Sequence, residues 1–154
     1  MSHHLAQINI GRLVAPLDDP RIAEFTGSLD RINGIADTSP GFIWRLQTDD
    51  GDATSIRAFD DPLIIVNMTV WESVEALRTY VYRSDHAAFL RRRREWFAPH
   101  AGPFLALWWV PAGTVPAIAD GKAALDRLAA YGPGPDAFTF GRLFPPPGGN
   151  RSAA

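Results

Sequence analysis

Four apolar stretches of the chain have the lengths and patterns typical of β-strands. They are Leu5 to Gly11, Phe42 to Gln47, Leu63 to Trp71 and Phe104 to Val110. The first three alternate between two sides, which predicts strands with one face in the core. The fourth is continuously apolar and predicts a strand that is buried on both faces.

Polar side chains interrupt two of these predicted strands. Gln7 and Asn9 share one side of the first strand, where they either line a pocket or face water. Asn67 and Thr69 share one side of the third strand. Leaving either of these two buried and unpaired would cost about 1–3 kcal/mol, so they either bond to protein groups or face a ligand cavity.

Apolar residues at spacings of three and four predict three helices. The first begins at Pro20 and ends near Asp37. The second begins at Ser73 and restarts near Ser84, because serine is favoured at the N-cap position. The third is alanine-rich and spans Ala117 to Tyr131.

The order strand, helix, strand, strand, helix, strand is that of ferredoxin-like domains. The third helix and the alternating stretch Ala137 to Phe144 predict an added C-terminal helix and strand. We therefore expect an α+β fold in one domain over residues 1–147, followed by a flexible tail at 148–154. Two helices would cover one face of the sheet, and the other face would need a partner.

Composition narrows the classes of function. The chain has 154 residues, of which 46% are hydrophobic, enough for one globular core. It has no cysteine, which excludes disulfides and thiolate metal sites. The net charge of -2 gives no general attraction to nucleic acid. No apolar run could cross a bilayer and the N-terminal MSHH lacks signal-peptide character, so we expect a cytoplasmic protein that binds neither nucleic acid nor membrane.

The helix after Ser84 carries the strongest candidates for chemistry. Helical spacing places these residues on one face, with Trp96 beside them: His86, Phe89, Leu90, Arg93 and Phe97. His86 is therefore predicted to point inward, either as a hydrogen-bonded structural residue or as part of a site. The four consecutive arginines at 91–94 cannot all face inward, and Arg93 is the best placed of them to hold an anionic group.

Five segments of the sequence together resemble a known bacterial family. They are HLAQINIGRL, SPGFIWRLQ, NMTVWESVEALRTYVYRSDHAAFLRRRREWF, LALWWVPAG and AFTFGRLFPPP. The family is domain of unknown function 3291, and the resemblance extends to about Pro147. That family is similar to the dimeric α/β barrel superfamily, in which two ferredoxin-like protomers press their sheets together. The resemblance therefore implies a homodimer.

The wider relatives of this family include antibiotic biosynthesis monooxygenases, haem-degrading monooxygenases, aldoxime dehydratases and spheroidene monooxygenase. The haem-degrading relatives carry an asparagine on the first strand, a tryptophan at the end of the third and an axial histidine on the next helix. This chain has Asn9, Trp71 and His86 in those elements, so His86 would be the axial ligand of a haem iron and arginines would pair with the propionates. The segment between Trp71 and His86 is longer than in that pattern.

The cofactor-free relatives imply a second set of site residues. Polar groups in their pocket orient and deprotonate a phenolic substrate, and the candidates for that catalytic role are Asn67, Tyr82, His86 and Trp96. We expect further substrate contacts from Gln7, Asn9, Trp44, Trp71, Phe89, Arg93 and Trp108. The tryptophans among these also suit core or dimer contacts.

The expected function is that of a monooxygenase-like enzyme that acts on a hydrophobic small molecule, with haem or without any cofactor. A redox-neutral cyclase, isomerase or dehydratase would fit the same pocket. The sequence also leaves open a non-catalytic ligand-binding or dimerisation module and a structural subunit of a larger complex.

Overall fold

The backbone forms one antiparallel sheet whose central strand is also its longest. A computed structural model describes residues 2–47, 54, 56, 58–84, 86–99 and 102–148, except the side chain of Phe89. The strands are β1 (His3–Leu13), β2 (Phe42–Arg45), β3 (Ile64–Trp71), β4 (Phe97–Ala98) and β5 (Leu105–Pro111). Their positions agree with the four predicted strands, and the short β4 is an addition.

Strand β1 pairs with a neighbour along both of its edges. On one edge it pairs with β3, from Leu5 opposite Trp71 to Arg12 opposite Ile64. On the other edge its first part pairs with β5, and its last two residues pair with β4. Strand β2 lies outside β3, so the sheet order is β2-β3-β1-β5, with β4 continuing the edge that β5 begins.

Serine side chains cap the starts of two of the four helices in the described part of the chain. These helices are α1 (Ala23–Thr38), α2 (Val74–Arg83), α3 (His86–Arg91) and α4 (Ile118–Tyr131), with short 3₁₀ turns at Pro20–Ile22 and Arg93–Glu95. Ser73 accepts a hydrogen bond from the Ala76 amide at 3.1 Å and starts α2. Ser84 accepts one from the His86 amide at 3.1 Å, which confirms the predicted restart of the helix.

The two faces of the sheet are covered by different helices. Ala6, Ile8 and Ile10 of β1 belong to a buried cluster with residues of α4. The alternate residues of β1, including Gln7 and Asn9, face α1, α2 and α3. The ferredoxin-like α+β fold is thus confirmed, and the C-terminal helix is added to it as predicted.

The position of α4 corrects one expectation from the sequence. The second sheet face was expected to need a partner, but α4 of the same chain covers it, and Trp108 on that face is buried. A Cβ built on Gly121 of α4 would lie 2.6 Å from Cδ1 of Ile8, so the helix and strand are in direct contact. The apolar stripe of α4 therefore buries the sheet face for which the sequence predicts a second chain.

The predicted C-terminal strand over Ala137 to Phe144 is wrong. A single antiparallel bridge joins Phe138 to Leu107, with both backbone hydrogen bonds at 2.8 Å. Hydrogen-bonded turns on either side, between Gly134 and Ala137 and between Thr139 and Arg142, prevent the pairing from extending. Residues 149–154 of the predicted tail lie outside the described residues. None of the helices within the described ranges is long and apolar enough to cross a membrane.

Candidate small-molecule site

A cavity of about 210 Å³ lies between the sheet and helices α1, α2 and α3. We call the β1 and β3 side of it the sheet wall and the opposite side the helical wall. Residues of α1 that line the helical wall are Phe25, Leu29, Ile32 and Ala36. These are members of the apolar stripe that predicted the helix, so the stripe faces the cavity as well as the core.

The sheet wall carries a connected set of hydrogen-bonding side chains. Gln7 Nε2 donates to Asn67 Oδ1 and to Thr69 Oγ1, each at 2.9 Å. Asn9 Nδ2 donates to Gln7 Oε1 at 3.0 Å. Trp71 Nε1 donates to the same Thr69 oxygen at 2.8 Å. These polar residues were predicted either to bond to protein groups or to face a cavity. They do both, because the side chains pair with one another and also line the cavity.

This arrangement leaves the side-chain amide nitrogen of Asn67, with its two N–H donors, for a ligand. Asn67 Oδ1 accepts from Gln7 and, at 3.4 Å, from Asn9, which fixes the orientation of its amide group. Asn67 Nδ2 has no hydrogen-bond partner among the described residues, and Asn67 lines the cavity. A substrate oxygen in the cavity could therefore accept a hydrogen bond from it.

His86 is half-buried in the helical wall, at the first position of α3. Its Nδ1 lies 3.4 Å from the Val81 carbonyl oxygen. Because a carbonyl can only accept, this contact requires the proton on Nδ1 and leaves the lone pair on Nε2. Burial lowers the pKa of His86, and the hydrogen bond to Val81 opposes this shift in part. The neutral imidazole is thus favoured, which is the form that can act as a base.

Tyr80 is a cavity residue that the sequence reasoning missed. Its ring stacks on Trp71 with the centroids 5.1 Å apart and lies 4.9 Å from the His86 ring. Its hydroxyl contacts the Ile32 carbonyl at 3.4 Å, and burial raises the pKa of that hydroxyl. The signal was present, because Tyr80 follows Leu77 by three residues on the inner face of α2.

Two arginines among the described residues line the cavity, and their surroundings differ. Arg45 forms a salt bridge with Asp37 at 2.7 Å. The Arg93 guanidinium lies over the rings of Phe104 and Phe97, at 4.7 and 5.4 Å from their centroids. Burial lowers the pKa of Arg93. The group nevertheless stays charged, because the ordinary pKa of arginine is very high.

Several predicted residues do reach the cavity. Those that line it are Gln7, Asn9, Asn67, His86, Arg93 and Trp96. They come from β1, β3, α3 and the turn after it. These elements lie far apart in the sequence, so only the predicted fold indicated that they would meet.

The other predicted site residues lie elsewhere or outside the description. Tyr82 is 51% exposed and packs edge-on against Phe140. Trp44 and Trp108 pack in the cluster on the α4 side of the sheet. Trp71 is fully buried and contributes through its hydrogen bond to Thr69, rather than as a lining residue. The side chain of Phe89 lies outside the described residues.

The cavity does not suit a haem group. Pockets for drug-sized ligands span about 300–1,000 Å³, and this cavity of about 210 Å³ is smaller, whereas a haem is larger than most such ligands. Its sheet wall is polar rather than apolar where a macrocycle would stack.

The fold is that of a ferredoxin-like α+β protein with a cavity between its sheet and three of its helices. Residues 4–154 match the family described as Domain of unknown function (DUF3291), and the chain belongs to that family. The family predicted from the sequence is thereby confirmed. No curated protein matches the chain.

Solved structures share this fold at low sequence identity. A protein of unknown function from Nitrosomonas europaea is 12% identical, covering 75% of this chain and 96% of its own, with a TM-score of 0.50. SnoaB, a cofactor-independent oxygenase from Streptomyces nogalater, is 17% identical, covering 75% of this chain and all of its own, with a TM-score of 0.48. At these identities the similarity shows the fold alone.

Proposed function

We propose that this protein is a monooxygenase-like enzyme that binds a hydrophobic phenol in the cavity and oxidises it with O₂ without a cofactor. The observation that carries the proposal is the pairing of two groups across one enclosed space. A neutral imidazole, His86, lines the helical wall, and the amide of Asn67 lines the sheet wall with a donor left for a ligand. A general base that removes a proton and a hydrogen-bond donor that stabilises the resulting oxyanion are the two groups that this reaction needs.

The reaction follows from these two roles. His86 Nε2 takes the phenolic proton, and Asn67 Nδ2 donates a hydrogen bond to the phenolate oxygen. The electron-rich carbon para to that oxygen adds O₂, forming a carbon–oxygen bond and reducing the O₂ to a peroxide, which takes up the proton from His86. That carbon then loses its proton, the oxygen–oxygen bond breaks, and the departing hydroxide takes up the proton as water, which leaves a quinone. One phenol and one O₂ thus give one quinone and one water.

The proposal is tested by following O₂ uptake and quinone absorbance with 1-naphthol as substrate. We expect His86→Gln to lower kcat by about 10²–10⁴-fold with the fold retained, because general-base catalysis is lost. His4→Gln is the matched control, since His4 lies on β1 and does not line the cavity. Circular dichroism verifies the fold of each variant.

Other outcomes identify the alternatives. Conversion of the phenol without O₂ uptake would show a redox-neutral cyclase, isomerase or dehydratase that begins with the same proton transfer. Saturable binding without any turnover would show a ligand-binding module. Full activity in His86→Gln would refute the assigned base.

We also propose that the protein forms a homodimer, as the resemblance implies. The support is the family fold, whose protomers pair through their sheets. Because α4 covers the middle of that sheet face, the second chain would contact α4 and the surface around it. Sedimentation velocity at micromolar concentration measures the assembly, and a single monomeric species would contradict the proposal.

A further inference from the structure

We infer that the substrate is an aromatic carboxylate whose acid group binds to Arg93. This inference rests on the proposed function, because it concerns the same cavity and the same ligand. It adds a charge requirement to a site that is otherwise described only as hydrophobic.

Arg93 is placed as a ligand-binding arginine would be. It lies in the turn Arg93–Glu95 directly after α3, is half-buried and lines the cavity. Phe104 and Phe97 lie against its guanidinium, at 4.7 and 5.4 Å from their ring centroids. These rings offer no strong hydrogen-bond acceptor, and the guanidinium makes no hydrogen bond among the described residues, so its N–H donors can bind a bidentate acid.

Among the described residues, no carboxylate lies within salt-bridge distance of this guanidinium. Five other arginines of the described chain do pair with acids: Arg12 with Asp61, Arg21 with Asp19, Arg45 with Asp37, Arg92 with Glu24 and Glu95, and Arg127 with Asp136. Arg93 has no acid within salt-bridge distance among the described residues, although Glu95 is two positions away. A partly buried cation without a counter-ion is costly, and an anionic ligand would remove that cost.

Arg45 is less suited to bind the acid group of a ligand. It also lines the cavity, but its side chain is only 10% exposed and is held by Asp37 at 2.7 Å. An incoming acid would compete with Asp37 for that guanidinium. Of the two cavity arginines, Arg93 is therefore the one suited to a ligand.

The rest of the cavity completes the description of the substrate. The volume of about 210 Å³ and the aromatic lining from Phe25 and Trp96 suit a flat molecule of about two rings. A phenolic oxygen would lie at Asn67 on the sheet wall, and the carboxylate would lie at Arg93. A hydroxynaphthoate has both groups on one such ring system.

The test compares two probes that differ only in the acid group, 5-hydroxy-2-naphthoate and 1-naphthol, by isothermal titration calorimetry. We expect the unaltered protein to bind the hydroxynaphthoate at least about tenfold more tightly, as a charge-assisted bidentate pair would provide. Arg93→Gln should abolish this preference, so that the two probes bind with equal affinity. Arg93→Lys, which keeps the charge and loses the planar fork, should retain part of it.

Arg94→Gln is the matched control, because Arg94 is exposed and does not line the cavity. It should keep the full preference for the hydroxynaphthoate. Equal affinity for the two probes in the unaltered protein, or an unchanged preference in Arg93→Gln, would overturn the inference and leave the hydrophobic cavity site standing. Failure of both probes to bind would overturn the proposed function as well.

Discussion

Gln7 is a buried residue whose side-chain amide is fully used by its neighbours. Its nitrogen serves Asn67 and Thr69, and its oxygen accepts from Asn9. The residue is 3% exposed, so none of these bonds can be replaced by bulk water. The hydrogen bonds of Gln7 therefore fix the positions of its neighbours in the sheet wall of the cavity.

Replacing this amide should therefore weaken the whole protein. We expect Gln7→Leu to lower the free energy of unfolding by about 1–3 kcal/mol, because buried partners lose their donor. Gln47→Leu is the control and should change stability by less than about 0.5 kcal/mol, since Gln47 is exposed. Urea unfolding measures both, and equal effects of the two substitutions would contradict the role given to Gln7.

The pH dependence of activity should report His86. Its pKa is lowered from 6.5 by burial, so the base form persists below that pH. We expect kcat/KM for 1-naphthol to rise with pH through a midpoint below 6.5 and then to level off. The midpoint should disappear in His86→Gln, and a midpoint above 6.5 would contradict the burial effect.

The free energy of unfolding should also depend on the protonation of His86, and the lowered pKa of that residue sets the direction of the effect. Below pH 6.5 the unfolded chain binds a proton at His86 that the folded chain resists, so acidification favours unfolding. Above 6.5 both states are neutral at this residue and its contribution is constant. The difference in unfolding free energy between the unaltered protein and His86→Gln isolates this term from the carboxylates.

Single residues also show what the sequence could and could not predict of the site. Gln7, Asn67 and His86 were predictable because each interrupts an apolar face. Tyr82 was predicted in place of Tyr80, and two positions on a helix differ by about 200°, so that error reverses the direction of the side chain. Periodicity fixes which residues share a face, but it leaves open which face meets the cavity.

At the scale of elements, α4 and β1 approach too closely for a side chain between them. A Cβ at Gly121 would lie 2.6 Å from Ile8 Cδ1 and 3.3 Å from Met68 Sδ. We expect Gly121→Ala to destabilise the fold by roughly 1–3 kcal/mol through overpacking. Gly27→Ala, in α1 with nothing within 4 Å, should instead stabilise it by up to about 1 kcal/mol. Thermal unfolding of both variants gives the comparison, and stabilisation by Gly121→Ala would refute this close packing.

Trp44 and Trp108 show how element pairing decides side-chain direction. Trp108 lies opposite Ala6, whose side chain packs on the α4 side, so Trp108 follows it there. Trp44 follows a shift of register in β2 after Phe42, and it packs on the same side. The strands were predictable from their composition, whereas these orientations depend on pairing partners that lie far away in the sequence.

At the scale of the whole molecule, the order of elements was enough to predict the ferredoxin-like sheet, and the position of α4 was not. Its apolar stripe could cover any apolar surface of suitable width, in its own chain or in another. The sequence also gave no sign that Ala137 to Phe144 would turn back after one bridge to β5. Local patterns predict elements well, and they predict the docking of a terminal element poorly.

The cover that α4 gives to the sheet has a thermodynamic consequence. In an obligate dimer the stability of the fold is inseparable from protein concentration, because burial of the core requires a second molecule. Here the main apolar faces of the sheet are buried by helices of the same chain. Folding of this chain therefore does not require a second molecule, and protein concentration should affect its stability only through the binding free energy of the proposed dimer.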